Sequence, residues 1–453
     1  MIFSGGTYLA GSIFVSGGGQ FLADGGDVIA VAIQCKLMQR FLKLYLKNIF
    51  NFSDRLGALG LLTGTGIPAN LQLLDQIFAL KWIQENIAAF GGNPKQVTIF
   101  GESSGSMNVG QLILSPLARG LFSQAIMQSG GPLAFFGADN QTVADRKRAT
   151  FATAIGCPAE PETSSVACLK QKPMADFINA TLKMIVNNDF FVPVYGGNEV
   201  LPLSPAEALK VGAFNHLKAV IYGVNANEGS HIAVSSFPAV LSNNTKLTLE
   251  LVRKELVKAL KKFGVEYGEE VADYYLAELK HSANVSQDQL RVALANPLGD
   301  SILTCTTVLF GECLATAKKV AGDKNDTSTK FYSYRLEQHQ VLPGLHYLPF
   351  EGVTHGEDVI YLFFANFLSR PVDKQLSDDM IAAWTAFART GVPSALPSLS
   401  NRSKVQWTEA VNQQQHPYTR FMSLSREGAG FHMVGNDFYR KTCNAFWKAK
   451  FLK

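Results

Sequence analysis

No run of about 18 apolar residues occurs in the 453-residue chain, so no membrane-spanning helix is expected. Charge is sparse: 17% of residues are charged, and the formal net charge is +4. That surplus is local. Lys36, Arg40, Lys43 and Lys47 stand within residues 35–52, where there is no acid, which leaves the rest close to neutral. A surface for nucleic acid should not be confined to one segment, so no such partner is expected. Cysteine is scarce too. There are six, with no C-x-x-C pair, which argues against a zinc site. Low-complexity tracts, internal repeats and Pro/Ser-rich linkers are absent, so residues 1–453 read as one large domain. The opening "MIFSGG" lacks the basic start and long apolar core of a signal peptide.

What is present suits a globular protein, with 47% hydrophobic residues and glycine spread throughout. Short apolar runs alternate with helix-like segments, which points to the α/β class. Seven N-x-S/T sequons begin at Asn51, Asn140, Asn179, Asn243, Asn284, Asn325 and Asn401, a number that fits a secretory route. Cys157 and Cys168 bracket "PAEPETSSVA", a polar loop that a bridge worth about 3 kcal/mol can close.

One stretch carries chemistry. "TIFGESSGS", residues 98–106, sets Ser103 and Ser104 between Gly101 and Gly105. Val97 to Phe100 reads as a buried strand, and Ser106 to Leu114 can start a helix. A sharp strand-to-helix corner brings two backbones nearly into contact, so both flanking positions favour glycine. Centring the corner on Ser103 puts Gly101 and Gly105 at those flanks. Centring it on Ser104 puts Glu102 and Ser106 there, whose side chains would clash. Ser103 is therefore the candidate nucleophile, and Ser104 offers its backbone N–H to an oxyanion. A plain glycine-rich turn is the bland alternative.

A serine hydroxyl needs a base, and the base needs a third group to fix its tautomer. In strand–turn–helix hydrolases both follow the serine, acid before histidine. His355, in "GVTHGED" after the strand-like "KFYSYRL" (330–336), is the first candidate, and His346 in "GLHYLPF" is its rival. Glu228 ends "AVIYGVNANEGS" (219–230), an apolar strand running into a polar loop, where a solvated loop glutamate is the ordinary reading. "IFSGGTYLAGS" (2–12) is a glycine-rich loop able to supply further oxyanion N–H groups.

Taken in order, these segments resemble the type B carboxylesterase/cholinesterase family of the α/β-hydrolase fold. "LLDQIFALKWIQENIAAFGGNPKQVTIFGESSGS" is similar to its helix, loop and elbow nearly position by position. "SPLARGLFSQAIMQSGGPL", "FNHLKAVIYGVNANEGS", "GVTHGED" and "WTAFARTGVPS" match further blocks. The resemblance implies a central, mostly parallel sheet flanked by helices, with N-terminal strands missing from this chain. It implies a Ser103–Glu228–His355 triad, oxyanion donors at Gly6, Thr7 and Ser104, and a Cys157–Cys168 disulfide. The activity implied is serine carboxylesterase action on a small-molecule ester, with no metal or other cofactor. A secreted or ER-lumenal location is implied for the full-length protein; oligomeric state stays open. Two other readings stand beside it: a non-catalytic adhesion or binding protein of the same fold, and an inactive fragment.

Three departures accompany the resemblance. The oxyanion loop reads Ser4-Gly5-Gly6-Thr7 instead of H-G-G-G, and the Thr7 side chain can crowd the acyl group. The aromatic pair lining a cholinesterase acyl pocket is replaced by Asn187 and Asp189, and the choline-facing tryptophan would precede Met1. Residues 34–53 interrupt a strand that normally runs on into "RLGALG". Their basic spacing is that of an amphipathic helix; the preferred reading is a translated intron. Glu102, beside the nucleophile, either adds negative potential near the leaving group or supports the elbow.

Overall fold

The computed structural model describes residues 1–3, 6, 8, 19–35, 50–186, 189–238, 241, 245–317, 329–340, 348–397, 404–411, 419–435 and 439–452. Nine strands form one sheet. They are β1 (Ile2–Phe3), β2 (Val31–Cys35), β3 (Phe50–Asp54), β4 (Thr98–Glu102), β5 (Gln124–Gln128), β6 (Ala219–Asn225), β7 (Lys330–Leu336), β8 (Phe421–Leu424) and β9 (His432–Val434). Their spatial order is β9-β8-β7-β6-β5-β4-β1-β2-β3. Every neighbouring pair is parallel except β8 and β9. This is the architecture the resemblance implies.

Of the strands that bear the candidate site, β5 and β6 are fully buried runs. All five residues of β5 and all seven of β6 are buried, as expected of parallel strands covered on both faces. Successive side chains alternate between two cores. Val220, Tyr222 and Val224 join a cluster with Leu73, Leu80 and Leu112 of the helices Leu71–Asn86 and Ser104–Leu114. Ala219 and Ile221 join a cluster on the other face with Leu376, Met380 and Trp384 of the helix Pro371–Thr390. A third cluster, including Tyr8, Met107, Phe151 and Phe190, gathers the helices of residues 141–186. The helical stretch Gln287–Thr316 is long and apolar enough to cross a membrane. However, 83% of its most apolar window is buried inside the protein, so it serves as a core helix.

The expected strands at 97–100 and 330–336 and the helix after the elbow form within about two residues of their expected bounds, and the stretch 219–230 opens with a strand, Ala219–Asn225, as expected. For residues 34–53, the described ends belong to β2 and β3, which pair in parallel from Val31↔Phe50 to Cys35↔Asp54. Residues 36–49, where the basic side chains stand, lie outside the described part, so the amphipathic reading lies there too. Cys157 and Cys168 are bonded, with Cα atoms 5.8 Å apart. A second disulfide, Cys305–Cys443, joins positions 138 residues apart.

Candidate active site

β4 turns directly into the helix Ser104–Leu114, and Ser103 is the corner, at φ 56° and ψ −126°. A side chain held there costs on the order of 1–3 kcal/mol and persists because its surroundings leave it no alternative. Those surroundings are backbone. A Cβ on Gly101 would stand 2.3 Å from the Gly105 carbonyl oxygen, and one on Gly130 would stand 2.2 Å from that of Ser103. The Ser103 N–H donates to Gln128 O at 2.9 Å, tying the corner to the end of β5. The steric argument that selected Ser103 over Ser104 thus has its physical counterpart.

Ser104 is buried, and its Oγ accepts the Tyr8 N–H at 3.2 Å. That bond draws the segment after β1 against the start of the elbow helix. Gly6, at φ 124°, is on this segment; Thr7, another of the expected oxyanion donors, lies outside the described residues.

Glu228 follows β6 and is 2% exposed. A carboxylate so buried needs donors, and it has three. Ser129 Oγ donates to Oε1 at 2.5 Å, the Asn225 N–H to Oε1 at 2.6 Å, and His355 Nδ1 lies 2.7 Å from Oε2. Glycine is needed next to it because a Cβ on Gly229 would meet the Ala295 carbonyl at 1.9 Å. The structure therefore brings Glu228 and His355 together across 127 positions. His346 lies outside the described residues.

The other imidazole nitrogen faces Glu102. His355 Nε2 is 3.2 Å from Glu102 Oε1, and each side chain is 17% exposed. Among the described residues the Ser103 hydroxyl is hydrogen-bonded to none. Burial pushes Glu102 up to about 8, against the His355 charge and with help from Asp358 and Glu228. For His355, burial favours the neutral ring, but the charge of Glu102, the bond to and charge of Glu228, and Asp358 outweigh it and hold the ring at about 9.

Behind these groups lies a polar network that sequence reasoning missed. Asp358 is fully buried and accepts from Tyr334 OH at 2.6 Å and Gln128 Nε2 at 2.5 Å. Gln128 Oε1 accepts from Trp384 Nε1 at 2.9 Å. Ser129 and Asn225 stand inside quoted blocks, at strand ends where apolar runs turn polar, which was the available signal. At one expected acyl-pocket position, Asp189 is held bidentately by Arg146 at 3.0 and 2.8 Å; Asn187 lies outside the described residues.

Residues 49–446 match the carboxylesterase family. Over 371 residues the chain is 32% identical to an acetylcholinesterase of Bungarus fasciatus, covering 78% of this chain and 58% of that protein. It is 28% identical over 444 residues to an acetylcholinesterase of Electrophorus electricus, covering 91% and 66%. It is 29% identical over 402 residues to one of Danio rerio, covering 81% and 62%. The chain thus spans roughly three-fifths of the length of the curated relatives it matches.

Proposed function

The chain belongs to the carboxylesterase family, with its α/β-hydrolase fold, and from that premise we propose that it hydrolyses carboxylic esters through an acyl-enzyme on Ser103. Membership supports ester hydrolysis at the family level; the serine mechanism is our reading. Ser103 Oγ attacks the ester carbonyl as His355 Nε2 takes its proton, and Glu228 holds the ring through Nδ1. The amides of Gly6, Thr7 and Ser104 receive the tetrahedral oxyanion. The alcohol leaves with the proton from His355, and water repeats the cycle on the acyl group. The observation that carries this reading is the 2.7 Å His355–Glu228 contact, taken with the strained backbone of Ser103. In the free enzyme Glu102 occupies the place at Nε2 that the Ser103 hydroxyl takes during reaction. Such catalytic bonds commonly tighten only once substrate is bound.

The substrate is a small-molecule ester. The Asp189–Arg146 pair, at a position where the cholinesterase resemblance expects an aromatic ring, favours an ester other than choline's. Secretion is supported by the two disulfides and by sequon asparagines exposed at Asn179 and Asn284. A non-catalytic binding protein is the second reading, favoured by the missing Ser103–His355 bond alone.

Initial rates on a chromogenic acetate ester separate the two. We expect turnover in the wild-type chain and a drop of roughly a thousandfold or more in Ser103→Ala. Equal rates for both proteins, or none from a folded wild-type chain, would reject the hydrolase.

A further inference from the structure

The turn that carries His355 is gripped by one carboxylate. Glu357, two residues further on, is 2% exposed. Its Oε1 accepts the Thr354 N–H at 2.7 Å, and its Oε2 the Gln340 N–H at 3.1 Å. His339 Nδ1 lies 2.9 and 3.1 Å from the same two oxygens. The Thr354 N–H thus reaches a carboxylate three residues further on, and the bond spans His355 and Gly356. Gly356, at φ 84°, opens the helix Glu357–Phe363.

The other side of the turn is held as well. Asn225 Nδ2 donates to the Thr354 carbonyl at 2.8 Å, and the Asn225 N–H bonds Glu228. The peptide groups of Thr354 are therefore fixed by Glu357 at the amide and by Asn225 at the carbonyl. Asn225 couples that position to the group that orients the imidazole. Glu357 couples it to residues 339–340, which follow β7 in no regular element. His339 is anchored in turn, since its carbonyl accepts Arg370 Nη2 at 2.6 Å. Arg370 pairs with Asp373 at 2.7 Å and Glu427 at 3.0 Å.

Building on the reading of His355 as the base, we propose that Glu357, held by His339, is a positioning residue that sets where His355 Nε2 points. A buried carboxylate is costly unless its oxygens are satisfied, and its donors come from the two segments that must stay in register for the ring to face Ser103. Loss of Glu357 frees the Thr354 amide, loss of His339 removes one of the groups that hold Glu357, and a displacement of about 1 Å at a reacting group lowers a rate roughly a hundredfold. The charges that raise His355 are those of Glu102, Glu228 and Asp358, whereas the Glu357 oxygens are taken up by Thr354, Gln340 and His339. The variants should therefore lower the plateau of the pH–rate profile and leave its midpoint in place.

The test uses the full chain and a chromogenic acetate ester, with sites counted by titration with a fluorophosphonate. Glu357→Ala is expected to lower kcat per titrated site by about tenfold to a hundredfold, with KM little changed and the pH midpoint unmoved. His339→Leu should lose a smaller factor of the same kind. His339→Asn, whose amide can still donate to Glu357, should recover most of it. A Glu357→Ala protein within about twofold of wild type per site would overturn the inference. If that variant does not fold, equal rates for His339→Leu and His339→Asn overturn it instead. A folded wild-type chain that neither turns over ester nor takes the label removes the hydrolase reading and this inference together.

Discussion

The contact of Glu102 with His355 Nε2 decides how the site responds to pH. His355 acts as a base only when its ring is neutral, so the rate should rise with pH as the imidazolium loses its proton and fall as pH drops below that point. Glu102, Glu228 and Asp358 hold the ring at about 9 against burial. Glu102→Gln removes one of those negative charges, so His355 should lose its proton more easily. The rising limb of kcat/KM should then move to lower pH, as a pH–rate profile will read. A limb that stays in place would mean that Glu102 remains protonated throughout and acts only as a support. At this scale the sequence was uneven. Ser103 was legible because glycines at 101 and 105 permit only one centring of the corner. His355 and Glu228 drew their strength from the resemblance, since neither stands out locally. Ser129, Asp358 and Glu357 were not legible as site residues, because ordinary polar side chains gain a role only from neighbours far along the chain.

At the level of elements, the site is a consequence of how β4, β5 and β6 end. β4 and β6 are short apolar runs, so their positions were readable, whereas β5, QAIMQ, is flanked by glutamines and was not read as a strand. A polar residue follows each, Ser103 after β4, Ser129 after β5 and Glu228 after β6, and Ser129 Oγ donates to Glu228. The close approach of strand and helix at the elbow leaves no room for a methyl group. Gly101→Ala places a Cβ 2.3 Å from the Gly105 oxygen, and backbone must move to relieve it. Overpacking of this kind costs about 1–3 kcal/mol, and the movement falls on Ser103 itself. A lower melting temperature is expected, together with ester turnover reduced at least about tenfold, more than the stability loss alone explains. Thermal unfolding and initial rates on the same preparation check both. The parallel pairing of β2 with β3 was not readable, because the residues between them mask the strand continuity that local patterns rely on.

Across the whole molecule, two disulfides tie the described residues together. The Cys157–Cys168 bridge closes a separation of 11, which restrains the unfolded state by about 3 kcal/mol, whereas Cys305–Cys443 closes 138 and is worth roughly 5 kcal/mol by the same loop-entropy argument. The shorter pair was suggested by its polar loop. The longer one had no local signal, because nothing near Cys305 points to a partner in the C-terminal helix. Among the described residues Cys313 forms no disulfide, and it is half-buried. The fold joins Glu228 to His355 across 127 positions, and we propose that both act with Ser103 at one oxygen atom. Peptide mapping of the chain after treatment with a fluorophosphonate tests that most directly. The account predicts a single covalent adduct, on Ser103 and not on Ser104, that fails to form in Glu228→Gln at comparable times. A folded chain that carries the adduct on Ser104, or carries none, would contradict it.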